Sequence, residues 1–189
     1  VSDQPSLLRG RNPEAIRRWA LDYAAIATIC DLVPLVGENR VLAAFGLEVL
    51  RKNRRPGLRA LLQVAGVASE RVTAATVGFQ IGPRINAPSR LGKESYSGQQ
   101  PLGPQGSIAL ALLLAESNDE AASLAVELHQ LNSQRQAQLE AVIAEAVDRV
   151  IQEGLAEKKV ILLAGADWPP GIVGLVAGRI VEAFGRPAI

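Results

Sequence analysis

The chain has 189 residues, of which 48 % are hydrophobic and 21 % charged, with a formal net charge of +1 and a single cysteine, Cys30. That is ordinary globular composition, and it excludes a disulfide framework within the chain. No apolar run approaches the roughly 18 residues of a membrane span, and the near-neutral balance leaves any basic binding site to local clustering.

Aromatic residues make up only 4 %, so the core must rest on Ala, Leu, Val and Ile. This favours helix-rich packing with some buried parallel strand. Residues 1–12 are polar and contain Gly and Pro, and read as a loop. Asn12-Pro13-Glu14 reads as N-cap, N1 proline and early acid. A helix follows through Trp19, Leu21 and Tyr23 towards Ile29, and Pro34 forces the exit at Asp31–Leu35 by pushing Val33 out of helical geometry. Residues 38–52 form a second amphipathic helix, with Val41, Leu42, Phe45 and Val49 on one face. A basic junction, Arg51 to Pro56, leads to a short helix over Gly57–Ala65 ended by Gly66. Thr73–Phe79 reads as helical and runs into a turn set by Gly82-Pro83.

Residues 92–107 are rich in Gly, Ser, Gln and Pro and read as a loop. Ser107–Ala115 is a compact apolar helix. Ser117-Asn-Asp-Glu120 matches a capping box. From there to Gly154 the pattern is helical through Leu124, Leu128, Leu131, Leu139, Val142, Ala146 and Val150, either as one rod about 50 Å long or with a break near Asn132-Ser133. Lys159–Leu163 reads as a buried strand, Gly171–Phe184 as a helix with Ile172, Leu175, Val176 and Ile180 inward, and Pro187–Ile189 as the next strand. Together these make a parallel βαβ unit. The absence of Met and the end inside an apolar strand suggest an excised internal piece; the single cysteine fits a reducing compartment, the cytoplasm, and no signal peptide is read.

Three groups of residues carry candidate chemistry. Arg84, Asn86 and Arg90 lie close together, and arginine forks grip phosphate oxygens in pairs; they serve equally to bond loop carbonyls or acids. A glycine-bearing loop before the Gly171 helix offers backbone N–H groups to an anion, with Trp168 and Arg179 nearby. Trp168 stacks on a base or packs in the core, and Arg179 binds phosphate or covers a helix surface. The run holding Arg54 and Arg55 follows a nucleic-acid backbone or is simply solvated. Asp31, an acid inside an apolar run, is either a helix-end residue or a metal ligand. Cys30 reads as a buried small side chain. The only histidine is His129.

Three strings in order resemble RecJ-type single-strand-specific DNA exonucleases of the DHH phosphoesterase superfamily. They are ATICDLVPL with Asp31 inside it, GPRINAPSRLG from Gly82, and ADWPPGIVGLVAGRI from Ala166. The last two are similar to the family's GPRLNAAGRLG and GWHPGVIGIVASRL. Leu131-Asn132 with Arg135 matches a further family pattern, LNxxR. The resemblance implies a helix-rich α/β architecture. Residues 1–116 would be the C-terminal part of a DHH core, 117–155 a long connecting helix, and 156–189 the start of a DHHA1 lobe.

It further implies a two-metal enzyme using Mn2+ or Mg2+, digesting single-stranded DNA from the 5′ end in recombination and repair, with replication or repair proteins as candidate partners. Asp31 is then one metal ligand, and Arg84, Asn86, Arg90 and Arg179 contact phosphate. The remaining ligands should lie outside this chain, so the chain is expected to be inactive alone. Pro169 stands where the family has His, Gly178 where it has Ser, and Pro88-Ser89 where it has Ala-Gly. The Pro169 and Gly178 departures support another reading, a non-catalytic nucleic-acid binder, and a related phosphodiesterase acting on oligonucleotides or cyclic dinucleotides is a further alternative.

Overall fold

The computed structural model describes residues 13–91 and 108–189. The stretches 1–12 and 92–107, both expected as loops, lie outside the described residues. The chain divides into two compact units, one drawn from Val1–Pro83 and Leu112–Ala125, the other from Arg84–Ala111 and Val126–Ile189.

In the first unit, α1 (Pro13–Trp19) and α2 (Leu21–Cys30) follow one another with a break at Ala20. Leu32 adopts the left-handed conformation, φ 55°, as the chain leaves α2. Helix α3 (Gly37–Arg51) packs along α2. Its buried face is not the expected one. Ala43, Gly46 and Leu50 face inward, while Val41 and Phe45 are exposed, Phe45 at 61 %. The reason lies at Gly46, where an added Cβ would strike the Leu21 carbonyl and come within 3.1 Å of the Leu21 carbonyl carbon. Close approach of two helices selects the small-residue face.

Helix α4 (Pro56–Val64) starts one residue before the expected Gly57, at a proline in the first turn. Arg55 and Asp22 tie α4 to α2: Arg55 Nε donates to Asp22 Oδ2 at 2.6 Å and Nη2 to the Trp19 carbonyl at 3.1 Å. Asp22 is 4 % exposed, whereas the Arg55 side chain keeps 32 % of its surface, so only the acid is sealed. The Tyr23 hydroxyl donates to the carbonyl of Leu113.

The expected helix over Thr73–Phe79 resolves into α5 (Ala74–Thr76), closed by a reciprocal Thr73/Thr76 capping box, and a π-helical turn over Val77–Ile81. The expected turn at Gly82-Pro83 is instead the start of α6 (Gly82–Arg90), which holds Pro88 within it. Pro83 sits in the first helical turn, where its missing N–H is no loss.

Helix α7 (Ile108–Leu114) precedes α8 (Asn118–Gln152), which is unbroken for 35 residues, about 52 Å. The Glu120 N–H donates to Ser117 Oγ at 3.2 Å, so the capping box forms in part as expected. Of the two readings the unbroken rod is the one observed: the helix continues through Asn132-Ser133, and Ser133 Oγ donates back to the His129 carbonyl at 3.0 Å.

The core of the second unit gathers Val142, Ala146 and Val150 of α8, Ile161, and Ile172, Val176 and Ile180 of α9 (Pro170–Phe184). The expected strands reduce to one parallel bridge, Ile161 to Ala188. Three backbone bonds support it: Ile161 N–H to Pro187 O at 2.8 Å, Ile189 N–H to Ile161 O at 3.0 Å, and Leu163 N–H to Ile189 O at 3.0 Å. The described residues are therefore helix-rich, with their parallel pairing confined to this bridge.

Candidate functional site

Because GPRINAPSR is a helix, the spacing of its polar residues has a geometric meaning. Asn86 and Arg90 are four residues apart and share a face, and Arg84 is displaced about 120° from Arg90. Ala87 and Pro88 anchor the buried side. Arg84 Nε donates to His129 Nδ1 on α8 at 3.3 Å. Nδ1 accepts, so the imidazole carries its proton on Nε2. Burial lowers the Arg84 guanidinium from its ordinary pKa. Asn86 is exposed at its side chain, and its carbonyl accepts from Ser89 Oγ at 3.0 Å.

Arg90 ends α6 and meets the first turn of α9. Its Nη1 donates to the Gly171 carbonyl at 3.1 Å. Gly171 is where the two backbones touch: a Cβ there would lie 2.7 Å from Arg90 Cα. The glycine of this loop thus serves close packing, and it seats Arg90 beside the positive end of α9.

Two residues on α8 stand out that the sequence reading left without a role. Asn132 is 2 % exposed and Arg135 is 7 % exposed. Arg135 donates from Nη2 to Asn132 Oδ1 at 3.1 Å and from Nε to the same oxygen at 3.4 Å. Desolvation lowers the Arg135 pKa, and the positive charge of Arg90 lowers it further. The signal was present as two polar residues, three apart, continuing the buried stripe of Leu128.

The other expected site residues are placed apart from this group or bonded locally. Arg179 lies exposed on α9, paired with Glu182 at 2.8 Å. Trp168 packs against the α8–α9 core and donates from Nε1 to Glu145 Oε2 at 3.0 Å. Arg54 lies over the Trp19 ring, 3.9 Å from its centre, and Arg55 is held by Asp22 and by the Tyr23 ring at 4.1 Å. Asp31 is exposed at the C-cap of α2, where its backbone N–H continues the helix by donating to Ala27. Among the described residues no three of His, Cys, Asp and Glu cluster as metal ligands. Asp31 alone does not make a two-metal centre, so the described residues do not fit one by themselves.

No family model matches the chain. The single-stranded-DNA-specific exonuclease RecJ of Bacillus subtilis is 43 % identical over 169 residues, covering 89 % of this chain and 20 % of that protein. The chain is RecJ-like over nearly its whole length. The crystal structure of RecJ from Thermus thermophilus in complex with Mn2+ superposes with a TM-score of 0.76 at 37 % identity, covering 95 % of this chain and 24 % of that one. The Mg2+ complex of the same protein gives a TM-score of 0.74 at 36 % identity, covering 95 % of this chain and 26 % of that one. The RecJ-like segment thus spans about a quarter or less of these relatives.

Proposed function

We propose that this chain is the DNA-holding part of a metal-dependent exonuclease acting on single-stranded DNA in the 5′-to-3′ direction. The observation that carries the reading is Arg90. It lies in the motif shared with RecJ proteins, sits at the positive end of α9, and has no carboxylate partner among the described residues. A cation so placed suits a phosphate oxygen. Arg84 and Asn86 extend the contact along α6, and Arg179 extends it along α9. Trp168, Arg54 and Arg55, like Arg84 and Arg179, already have structural partners and rank below Arg90.

The cutting half belongs to the rest of the protein. Mn2+ or Mg2+ would be held in a two-metal site to which this chain contributes Asp31. The RecJ crystal structures with Mn2+ and Mg2+ support that reading. By the same likeness, residues 1–116 close the DHH core, 117–155 connect, and 156–189 begin a DHHA1 lobe. The bridge of Ile161 to Ala188 would then be the first rung of a parallel βαβ unit. No helix among the described residues is long and apolar enough to cross a membrane. A cytoplasmic role in recombination and repair, alongside replication or repair proteins, follows from the same reading.

The test is a nuclease assay of the full-length protein on a 5′-phosphorylated single strand, with a duplex control and a manganese titration. Metal-dependent release of nucleotides from the single strand alone is expected. A full-length protein that binds the strand without cutting it at any metal concentration would instead favour the non-catalytic reading.

A further inference from the structure

Trp19 stands half-buried at the break between α1 and α2, and three basic residues that follow α3 hold it. Arg54 stacks over the indole, its guanidinium carbon 3.9 Å from the ring centre, and Lys52 Nζ lies 5.5 Å from the same centre. Arg55 Nη2 donates to the Trp19 carbonyl at 3.1 Å, and the buried Asp22 fixes Arg55 in turn. The indole is thus set in place through its backbone and its ring before any ligand arrives.

Beside the indole lies a cavity of about 340 Å3, lined by Glu14, Ala15, Arg18, Trp19, Val49 and Lys52. That is the small end of the range for ligand pockets, with room for one ring system and a charged group. Its wall is apolar at Ala15, Trp19 and Val49, and its rim is charged. Arg54 takes no part in the wall, so its stacking leaves the cavity side of the indole to another planar group.

Charge decides the class of occupant. Lys52 and Arg54 are exposed and have no acid partner among the described residues. Arg18 and Glu14 pair at 3.6 Å with side chains 79 % and 74 % exposed, a weak contact that either partner can give up. Unneutralised cations beside an aromatic wall suit a planar ring that carries an anion. An aliphatic acid would leave the indole unused, and a neutral ring would leave the lysine unused. Glu14 can accept from an amino or hydroxyl group of the same ligand.

We propose that this cavity binds one nucleotide unit, with its base against Trp19 and its phosphate at Lys52 and Arg18. Arg54, the indole and the base then form a three-layer stack. The unit is either a free nucleoside monophosphate or one nucleotide of the single strand, and in the second case the site rests on the nucleic-acid reading above. All six lining residues belong to the first compact unit, whereas Arg90 and α9 belong to the second, so this is a further site and not a part of that one.

The experiment compares the full-length protein with its Trp19→Leu and Lys52→Gln variants in metal-free buffer. Tryptophan emission and equilibrium dialysis are read against deoxyadenosine monophosphate, inorganic phosphate and a thymidine oligonucleotide. The monophosphate should quench emission in the wild type and not in Trp19→Leu, and inorganic phosphate, which has no base, should not quench. Binding of the monophosphate should weaken about tenfold in Trp19→Leu and about three- to fivefold in Lys52→Gln. If the occupant is a nucleotide of the strand, both variants also bind the oligonucleotide more weakly, and Lys52→Gln lowers its salt slope by about one phosphate contact. Unchanged oligonucleotide affinity in both identifies the free monophosphate.

Lys52 is exposed, so Lys52→Gln should fold, and it decides the matter if Trp19→Leu does not. No quenching by either nucleotide probe, or unchanged monophosphate binding in Lys52→Gln, would overturn the site. A protein that cuts the single strand while Trp19 stays silent overturns this site and leaves the proposed function standing. A protein that binds the monophosphate at Trp19 but neither holds nor cuts the strand does the reverse.

Discussion

Asp31 contributes nothing visible to the fold. Its carboxylate makes no hydrogen bond or ion pair among the described residues, and it stands at the C-terminus of α2, the negative end of the helix dipole. The next residue, Leu32, is 86 % exposed and held at φ 55°. An acid at the wrong end of a helix, followed by a strained exposed leucine, does not serve stability, which agrees with the metal role proposed for Asp31. Asp31→Asn in the full-length protein should therefore leave the melting temperature unchanged or slightly higher. It should lower metal-dependent nuclease activity by more than about 100-fold, beyond what loss of a supporting metal contact costs. Retained activity would remove Asp31 from the metal site. One residue earlier, Cys30 behaves as the sequence suggested, as a half-buried thiol. Burial raises its pKa above the ordinary 9.0, and the charge of Asp31 adds to this. Burial likewise raises Tyr23 above 10.0, with Asp22 adding and Arg55 opposing. A raised folded-state pKa means that the folded chain keeps its proton where the unfolded chain loses it. The associated stability is complete below pH 9 and is lost as pH rises through the folded values. Melting temperature should thus fall as pH rises above about 9, and the early part of that fall should flatten in Cys30→Ala. An identical slope in that variant would remove Cys30 as its source.

At the scale of elements, the positions of the helices were legible and their faces were not. Caps, prolines and period gave α3, α4, α8 and α9 nearly to the residue. The large apolar side chains of α3 pointed to the wrong face, because Ala43 and Gly46 let the helix lie against α2 more closely than Val41 and Phe45 would. Periodicity weighs hydrophobic size, whereas close helix packing rewards its absence. The same blindness hid Asn132 and Arg135, since polar residues in a buried stripe are discounted by any apolar pattern. Gly82-Pro83 was taken as a turn although proline at that position also opens a helix, and Lys159–Leu163 carries a strand's composition with only one bridge to pair with. Gly46→Ala tests the packing account. A Cβ there meets the Leu21 carbonyl and the Ala25 side chain, so two backbones must separate. The variant should lose about 1–3 kcal/mol, read as a lower urea midpoint with unchanged slope. Ala is the better helix former, so an unchanged or higher midpoint would show that α2 and α3 are not in this contact.

For the whole molecule, the division of labour follows from which residue types the chain contains. Two-metal phosphodiester cleavage needs several carboxylates and imidazoles holding ions about 3.5–4 Å apart. This chain has one histidine, and its Nδ1 accepts from Arg84. Its described acids form no cluster of three metal-binding groups. Its described arginines, by contrast, include two on α6 and α8 that no acid neutralises. On the proposed function, holding a polyanion would fall to the arginines and helix ends of this chain, and cutting it would need a metal-ligand cluster that the described residues do not form. The 189-residue chain, purified alone, should release no nucleotides from single-stranded DNA at any manganese or magnesium concentration. It should still bind the strand with an affinity that falls steeply with salt, because phosphate contacts displace counterions. The decisive comparison is with Asp31→Ala in the same isolated chain. Manganese-dependent release that survives this substitution would mean a metal centre built from other residues of the chain, and would reverse the assignment of the cutting half. Release that vanishes with Asp31→Ala would mean that the chain assembles a working centre around Asp31 alone or between copies of itself.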